Sequence, residues 1–149
     1  MKNIDNAIWT EDLRSIEWGE LSTLYQIALL GDKSPNMLKK VFKNSMFTYF
    51  IYDNNKLIGA GRALADGADS AYLCDIAIHP EYQGIGLGKE ITKKLLDCVK
   101  SYNKIILFAS IGKEGFYSKL GFAKMTTAMA IFKHQERVME IGLIEKDEI

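Results

Sequence analysis

One short run, Gln83-Gly84-Ile85-Gly86-Leu87-Gly88, most constrains how this chain can fold, because its glycines stand where the hydrophobic pattern changes. Before it, residues 71–78 have the composition of a strand. After it, residues 86–101 carry apolar side chains at helical spacing. Glycine permits positive φ and close backbone approach, and a helix that begins here presents unpaired N–H groups. The run therefore predicts a loop that binds a phosphate or pyrophosphate.

Two well-known glycine-rich phosphate loops do not fit this spacing. A Walker loop needs glycine at the position of Gln83 and serine or threonine at the position of Glu90. A dinucleotide-binding loop starting at Gly84 needs glycine at the position of Lys89. It also needs an acidic residue after the next strand, which residues 104–107 do not supply. What remains is the pattern Gln-x-x-Gly-x-Gly between a strand and a helix.

Composition and charge restrict the class of protein further. A length of 149 residues with 48% hydrophobic residues predicts one globular domain over residues 1–149, stable without disulfides or a metal. Equal numbers of basic and acidic residues, 19 of each, argue against nucleic-acid or membrane-surface binding. Cys74 and Cys98 lack metal-ligand spacing and predict free thiols. Residues 1–13 are too polar for a signal peptide, and no apolar run approaches the ~20 residues of a membrane span, so a cytoplasmic location is expected.

Periodicity predicts the order of the helices and strands. Residues 17–30 and 35–43 predict two helices, the second with Ser34 as its N-cap and Pro35 at its first position. Strands are expected at residues 46–52, 57–64, 71–78, 104–109, 122–126 and 128–132, and further helices at 86–101 and 113–120. The predicted class is α+β with a mixed sheet, in which a right-handed crossover joins the third strand to the fourth.

Three motifs follow one another along the chain. The first extends from Asp75 to Gly88, the second is the strand at residues 104–107, and the third is Gly-Phe-Tyr-Ser-Lys-Leu-Gly-Phe at residues 115–122. Together they resemble the GNAT superfamily of acetyl-CoA-dependent N-acetyltransferases, and most of all its small-amine acetylating branches. The resemblance implies a three-layer fold, a central mixed and mostly antiparallel sheet flanked by helices. Its coenzyme-binding core would lie at about residues 57–132, with N-terminal helices at about 16–44 walling the acceptor cleft.

The resemblance implies acetyl-CoA as co-substrate, with no metal. The coenzyme pyrophosphate is expected on the glycine loop, with help from Lys89, and the pantetheine arm along the extended strand before it. The expected coenzyme contacts are Ile76, Ala77, Ile78, Gln83, Gly84, Ile85, Gly86, Leu87, Gly88, Lys89, Ser110, Lys113 and Phe116. Of these, Ser110 and Lys113 stand where many relatives carry asparagine and alanine, so this side departs from the family pattern.

Tyr117 is the expected proton donor, because it follows Phe116 as a tyrosine with this role does in the family. A phenol near the sulfur can donate a proton or hydrogen bond as the thiolate leaves. Three alternatives remain for the base: Asp75, which could equally orient substrate or pair a backbone group; His79, which suits a structural turn better; or a backbone carbonyl with water. A ping-pong route through Cys74 is disfavoured, because the sequence places no cation or histidine beside it.

The expected function is direct transfer of an acetyl group from acetyl-CoA to the primary amine of a small molecule in a ternary complex. Tyr25, Arg62 and Tyr72 are the expected acceptor contacts, and Arg62 suits a carboxylate or phosphate. Two alternatives stay open: a protein or peptide N-acetyltransferase, and a non-catalytic acyl-CoA-binding module. By family analogy, a homodimer through the terminal strands is also expected.

Overall fold

The computed structural model describes residues 4–146, which divide into two compact units, one ending at Leu107 and one beginning at Phe108. The first unit contains β1 (Ile8–Thr10), α1 (Trp18–Ile27), α2 (Pro35–Lys43), β2 (Phe47–Asp53), β3 (Lys56–Ala65), β4 (Ser70–Ile78), α3 (Leu87–Val99) and β5 (Lys104–Ile106). The second contains α4 (Glu114–Ser118) and α5 (Gln135–Glu140). Within residues 4–146, no helix has the length and apolarity of a membrane span. A single domain over the whole chain stays a prediction.

The strands of the first unit form one sheet in the order β1-β2-β3-β4-β5. Neighbours from β1 to β4 are antiparallel, whereas β5 pairs with β4 in parallel. Between β2 and β3 the chain turns through Asn54 and Asn55, whose φ values of 47° and 63° are those that a tight hairpin turn requires. The predicted mixed, mostly antiparallel sheet is therefore confirmed.

Helices bury both faces of this sheet. Successive residues of a strand point to opposite faces, so Phe50 belongs to a buried cluster with Leu24 of α1 and Phe42 of α2. Its neighbour Ile51 belongs to a second buried cluster, with Ile91 of α3. The result is helices, sheet and helix in three layers, as the resemblance implies. The loop after β4 leads to α3 on one face of the sheet, and the loop at residues 28–34 joins α1 to α2 on the other face.

Four predicted elements need correction. Helix α1 ends at Ile27 rather than near residue 30, because Leu29 adopts a φ of 63°. Strand β5 ends at Ile106 rather than near residue 109. The strands predicted at 122–126 and 128–132 do not form, and Ile131 is 98% exposed. A strand needs a neighbour for its backbone hydrogen bonds, and the described part of the second unit contains no other strand to provide one.

Phe42 is central to the packing of α2 on the sheet and gives a test of this core. It is fully buried, with ring centroids 5.3 Å from Phe50 and 6.4 Å from Tyr25. We expect Phe42→Ala to lower the free energy of unfolding by about 3–5 kcal/mol, because it leaves a cavity. Urea unfolding followed by circular dichroism measures this. Met37→Ala is the control on the same helix, since Met37 is 43% exposed, and similar losses in both variants would contradict the assignment.

Candidate functional site

The glycine loop lies between β4 and α3, and its conformation requires glycine. Gly84 and Gly86 have φ values of 82° and 92°, in the left-handed region that side chains disfavour. A Cβ atom built on either residue would meet no other atom within 4 Å. Space is therefore available beside the loop backbone, and the requirement for glycine comes from the backbone conformation rather than from crowding.

The first turn of α3 presents free N–H donors. Gly86 is the N-cap residue, and no side chain of the described residues caps the helix. Among residues 4–146, no backbone or side-chain acceptor serves the N–H groups of Leu87, Gly88 and Lys89. A helix start with unpaired donors also carries the positive end of the helix dipole. This arrangement can hold an anionic group against the loop.

Side chains fix the chain where it leaves β4 and enters the loop. The Gln83 amide nitrogen donates to the Ile78 carbonyl at 2.9 Å, which ties the loop to the strand end. The Tyr82 side chain is buried, and its hydroxyl donates to Asp53 at 2.7 Å. His79 Nδ1 accepts from the Glu81 N–H at 3.1 Å, which supports the structural interpretation of His79. The turn that leads from β4 into the glycine loop is therefore fixed by hydrogen bonds at both of its ends.

The end of β4 is open on one side. Strand β5 pairs with β4 only from Ser70 to Tyr72, opposite Lys104 to Ile106. Beyond that point β4 continues to Ile78 and pairs with β3 alone, within the part of the chain that the structure describes. Its outer backbone groups at residues 73–78 can thus pair with an extended ligand.

A bulge interrupts β4 within this open edge. The register shifts between Ala60 and Arg62 of β3, so that Asp75 and Ile76 together lie opposite Gly61. Asp75 has a φ of 55°, which is rare for a residue with a side chain and marks backbone strain. The carbonyl of Asp75 accepts a hydrogen bond of 2.6 Å from the Tyr25 hydroxyl.

The bulge brings the Asp75 carboxylate against two cations. Arg62 Nε donates to Asp75 Oδ2 at 2.8 Å, and Arg62 Nη1 donates to the Ser45 hydroxyl at 3.2 Å. Lys33 Nζ lies 3.7 Å from Asp75 Oδ1. No sequence pattern marks Lys33 or Ser45, because each lies in an ordinary polar segment that only the fold brings to β4. We call Lys33, Arg62 and Asp75 the charged cluster.

Burial raises the pKa values of Tyr25 and Tyr72, the two tyrosines near the charged cluster. It raises the pKa of Tyr25 well above its usual value, so the hydroxyl stays protonated and serves as a donor. Tyr25 has no exposed surface, so its predicted contact with an acceptor has no accessible atoms to act through. Burial also raises the pKa of Tyr72 to about 12, and the charges of Asp75 and Arg62 act on it as well. Tyr72 and Arg62 therefore lie near each other, and their contact with an acceptor stays a prediction.

The second unit carries the remaining predicted residues. Tyr117 lies on α4 between Phe116 and Phe122, with ring centroids 5.0 and 5.9 Å away. Burial raises the pKa of Tyr117, so its hydroxyl is protonated at neutral pH. Ahead of α4, the Lys113 N–H donates to the Ser110 carbonyl at 2.9 Å, and both side chains are exposed. The Tyr117 hydroxyl is therefore protonated, and its ring packs against two other aromatic rings.

Comparison with known proteins identifies similar chains. A family model described as an acetyltransferase (GNAT) domain matches residues 26–135. The uncharacterized N-acetyltransferase ycf52 of Pyropia yezoensis is 37% identical over a match that covers 68% of this chain and 65% of that relative. This chain thus spans less than two thirds of the relative's own length.

Solved structures share the fold. A probable acetyltransferase from methicillin-resistant Staphylococcus aureus, SA2161, is 25% identical with a TM-score of 0.77, over 85% of this chain and 97% of that one. A GNAT family acetyltransferase from Elizabethkingia anophelis, solved with acetyl-CoA bound, is 21% identical with a TM-score of 0.62. It matches over 81% of this chain and 78% of that chain.

The Cys74 thiol gives a test of the electrostatics beside the charged cluster. Burial raises its pKa to about 11, although Arg62 and Lys33 oppose the shift. We expect alkylation by iodoacetamide to be slow at pH 8 and to accelerate about tenfold per pH unit until about pH 11, because only the thiolate reacts. Mass spectrometry of a Cys98→Ser variant measures this at Cys74 alone. A rate that levels off near neutral pH would contradict the assignment.

Proposed function

The chain belongs to the GNAT family of acetyltransferases, and we propose that it transfers an acetyl group from acetyl-CoA to the primary amine of a small molecule. The observation that carries the proposal is the uncapped start of α3 beside a loop in which Gly84 and Gly86 have positive φ. The pyrophosphate of the coenzyme is an anion that the free N–H groups of this loop can bind. Lys89, in the first turn, adds a positive charge.

The pantetheine arm has a second surface available in the first unit. The open edge of β4 at residues 76–78 offers backbone donors and acceptors to an extended chain, a mode of recognition that depends little on side-chain identity. Ile76, Ala77 and Ile78 are therefore the proposed contacts for this arm. On the second unit, Ser110, Lys113 and Phe116 stay proposed contacts on the strength of the motif alone.

The proposed reaction is direct. Bound acetyl-CoA supplies a thioester whose carbonyl carbon the neutral amine attacks, and the carbon–sulfur bond breaks to release a thiolate. Tyr117, protonated because burial raises its pKa, is the proposed donor of the proton that this thiolate takes up. Both oxygens of Asp75 already face cations, so we assign Asp75 to holding Arg62 and Lys33. As the amide forms, its nitrogen loses a proton to water held at a backbone carbonyl, and the Tyr117 phenolate takes up a proton from solvent.

Relatives differ in the acceptor that their names state. One relative in Oryza sativa is named serotonin N-acetyltransferase 2, chloroplastic, and one in Glycine max is named histone acetyltransferase TAP1. We keep a small molecule as the proposed acceptor, because the Arg62 guanidinium, which binds Asp75 at 2.8 Å, suits a carboxylate or phosphate on such a molecule. A cytoplasmic location and a homodimer stay predictions. The terminal strands expected to form the dimer interface are not present at residues 122–132.

Release of coenzyme A thiol measures the proposed activity. The purified chain is incubated with acetyl-CoA and panels of small amines, amino acids, polyamines and peptides. Turnover with small amines but not with peptides supports the proposal. Turnover with peptides alone would support protein acetylation instead. Tight acetyl-CoA binding without turnover of any acceptor would leave only a binding module.

Gly86→Ala tests the pyrophosphate assignment, and Gly67→Ala in the turn between β3 and β4 is its matched control. The two glycines have φ values of 92° and 89°, so alanine strains each backbone similarly, by about 1–2 kcal/mol. Neither new Cβ would clash. We expect only Gly86→Ala to weaken acetyl-CoA binding, by about tenfold or more, which corresponds to losing one charge-assisted hydrogen bond. Calorimetry measures this, and equal affinities would refute the assignment.

Tyr117→Phe tests the proton donor. We expect kcat to fall at least about tenfold with acetyl-CoA affinity unchanged, because proton donation is lost while the aromatic packing stays. Since the pKa of Tyr117 lies above the usual value of 10.0, the ratio of wild-type to variant kcat should stay constant from neutral pH to that value and decline only above it. Tyr102→Phe, on an exposed hydroxyl, is the control. Wild-type kcat in Tyr117→Phe would remove Tyr117 from the mechanism.

A further inference from the structure

The charged cluster combines two cations with one anion. Lys33 comes from the loop between α1 and α2, Arg62 from β3 and Asp75 from β4. Their side chains are 24%, 14% and 16% exposed, so all three are largely withdrawn from water. One carboxylate balances only one of the two cations. The cluster therefore has a net positive charge in a partly buried position.

Both cations keep donors that no group in the described chain uses. Arg62 donates through Nε to Asp75 and through Nη1 to Ser45, whereas Nη2 has no acceptor among residues 4–146. In the described part of the chain, no unpartnered side-chain nitrogen is buried, so Nη2 reaches solvent. Lys33 Nζ lies 3.7 Å from Asp75 Oδ1, too far for a hydrogen bond. The unused donors can serve an oxygen atom from outside the protein.

The fold holds these groups in place before any ligand arrives. Tyr25 fixes the strained backbone of Asp75, and the Ser22 hydroxyl on α1 donates to the carbonyl of Lys33. Strain at a residue that the surrounding structure overdetermines is typical of functional sites. The cluster also directly precedes the open edge of β4 at residues 76–78. A group bound there would lie beside the proposed path of the pantetheine arm.

We propose that Lys33 and Arg62 bind an anionic group, a carboxylate or a phosphate, on the acceptor whose amine is acetylated. The inference rests on the proposed small-molecule acetyl transfer. An anion supplies the second negative charge that the cluster lacks and takes up the free donors of Arg62 and Lys33. An amine without an anionic group gains neither interaction. The substrate class is therefore an amino acid or a phosphorylated amine rather than a simple amine.

Matched acceptor pairs test this inference. Phenylalanine against phenethylamine and alanine against ethylamine compare amines with and without a carboxylate. Phosphoethanolamine against ethanolamine does the same for a phosphate. We expect wild-type kcat/KM to favour the anionic member of at least one type of pair by about tenfold or more, the effect of one hydrogen bond to a charged group. The type of pair that shows the preference identifies the anion.

Variants test whether the charged cluster causes the preference for anionic acceptors. Lys33→Gln removes an ammonium group that makes a 3.7 Å ion pair and no hydrogen bond among residues 4–146, so we expect the fold to persist and the preference to fall at least about threefold. Arg62→Lys keeps the charge but loses the planar fork, and should lower the preference as well. Lys39→Gln, on the exposed face of α2, removes the same charge away from the cluster and should change nothing. A preference for the neutral members, or one that survives Lys33→Gln and Arg62→Lys, would overturn the inference.

A binding measurement separates failure of the inference from failure of the proposed function. N-acetylphenylalanine and N-acetylphenethylamine differ by one carboxylate, and calorimetry detects their binding without turnover. Binding of the carboxylate compound alone, weakened in Lys33→Gln, would support the anion site even if no amine were acetylated. Absence of binding by both compounds and by phosphoethanolamine, or equal binding by both compounds, would overturn it.

Discussion

The hydrogen bond from the Tyr25 hydroxyl to the carbonyl of Asp75 is the interaction on which the arrangement of the site depends. It links a fully buried side chain of α1 to the bulge in β4, where Asp75 is held at a φ of 55°. A bulge bends its strand and redirects side chains. Here it turns Asp75 towards Arg62 and Lys33, and it lies in the part of β4 that β5 no longer pairs. Helix packing, strand geometry and charge are thus coupled at one residue.

The elements that the sequence predicts well are those specified by local chemistry. Ser34 and Pro35 fix the start of α2, and the Ser34 side chain accepts from the Met37 N–H as the cap requires. The positive φ values of Asn54 and Asn55 make the hairpin between β2 and β3. In each case the signal lies within a few residues, so a single sequence is enough to read it.

The elements that the sequence predicts poorly depend on distant partners. Strand β1, Ile8–Thr10, is too short to show alternation and forms only because β2 is available beside it. Residues 122–132 show the reverse case, since their apolar composition favours strands but the described second unit has none to pair with them. The bulge at Asp75 is equally invisible in sequence, because it arises from a register shift against β3. Tyr25 fits a buried helix stripe, and its contact with a strand 50 residues away follows only from the fold.

The protein recognises the two substrates of the proposed reaction in different ways. This difference explains why the sequence predicts the coenzyme site but not the acceptor site. The donor half uses backbone: positive φ at Gly84 and Gly86, free N–H groups at the start of α3 and an open strand edge. Such features leave a glycine pattern and a strand-to-helix change in the sequence. The acceptor half uses side chains from a loop and two strands, so Lys33 and Arg62 become one site only through the fold. Acceptor specificity can therefore change by substitution at such positions while the coenzyme loop and its glycines stay the same.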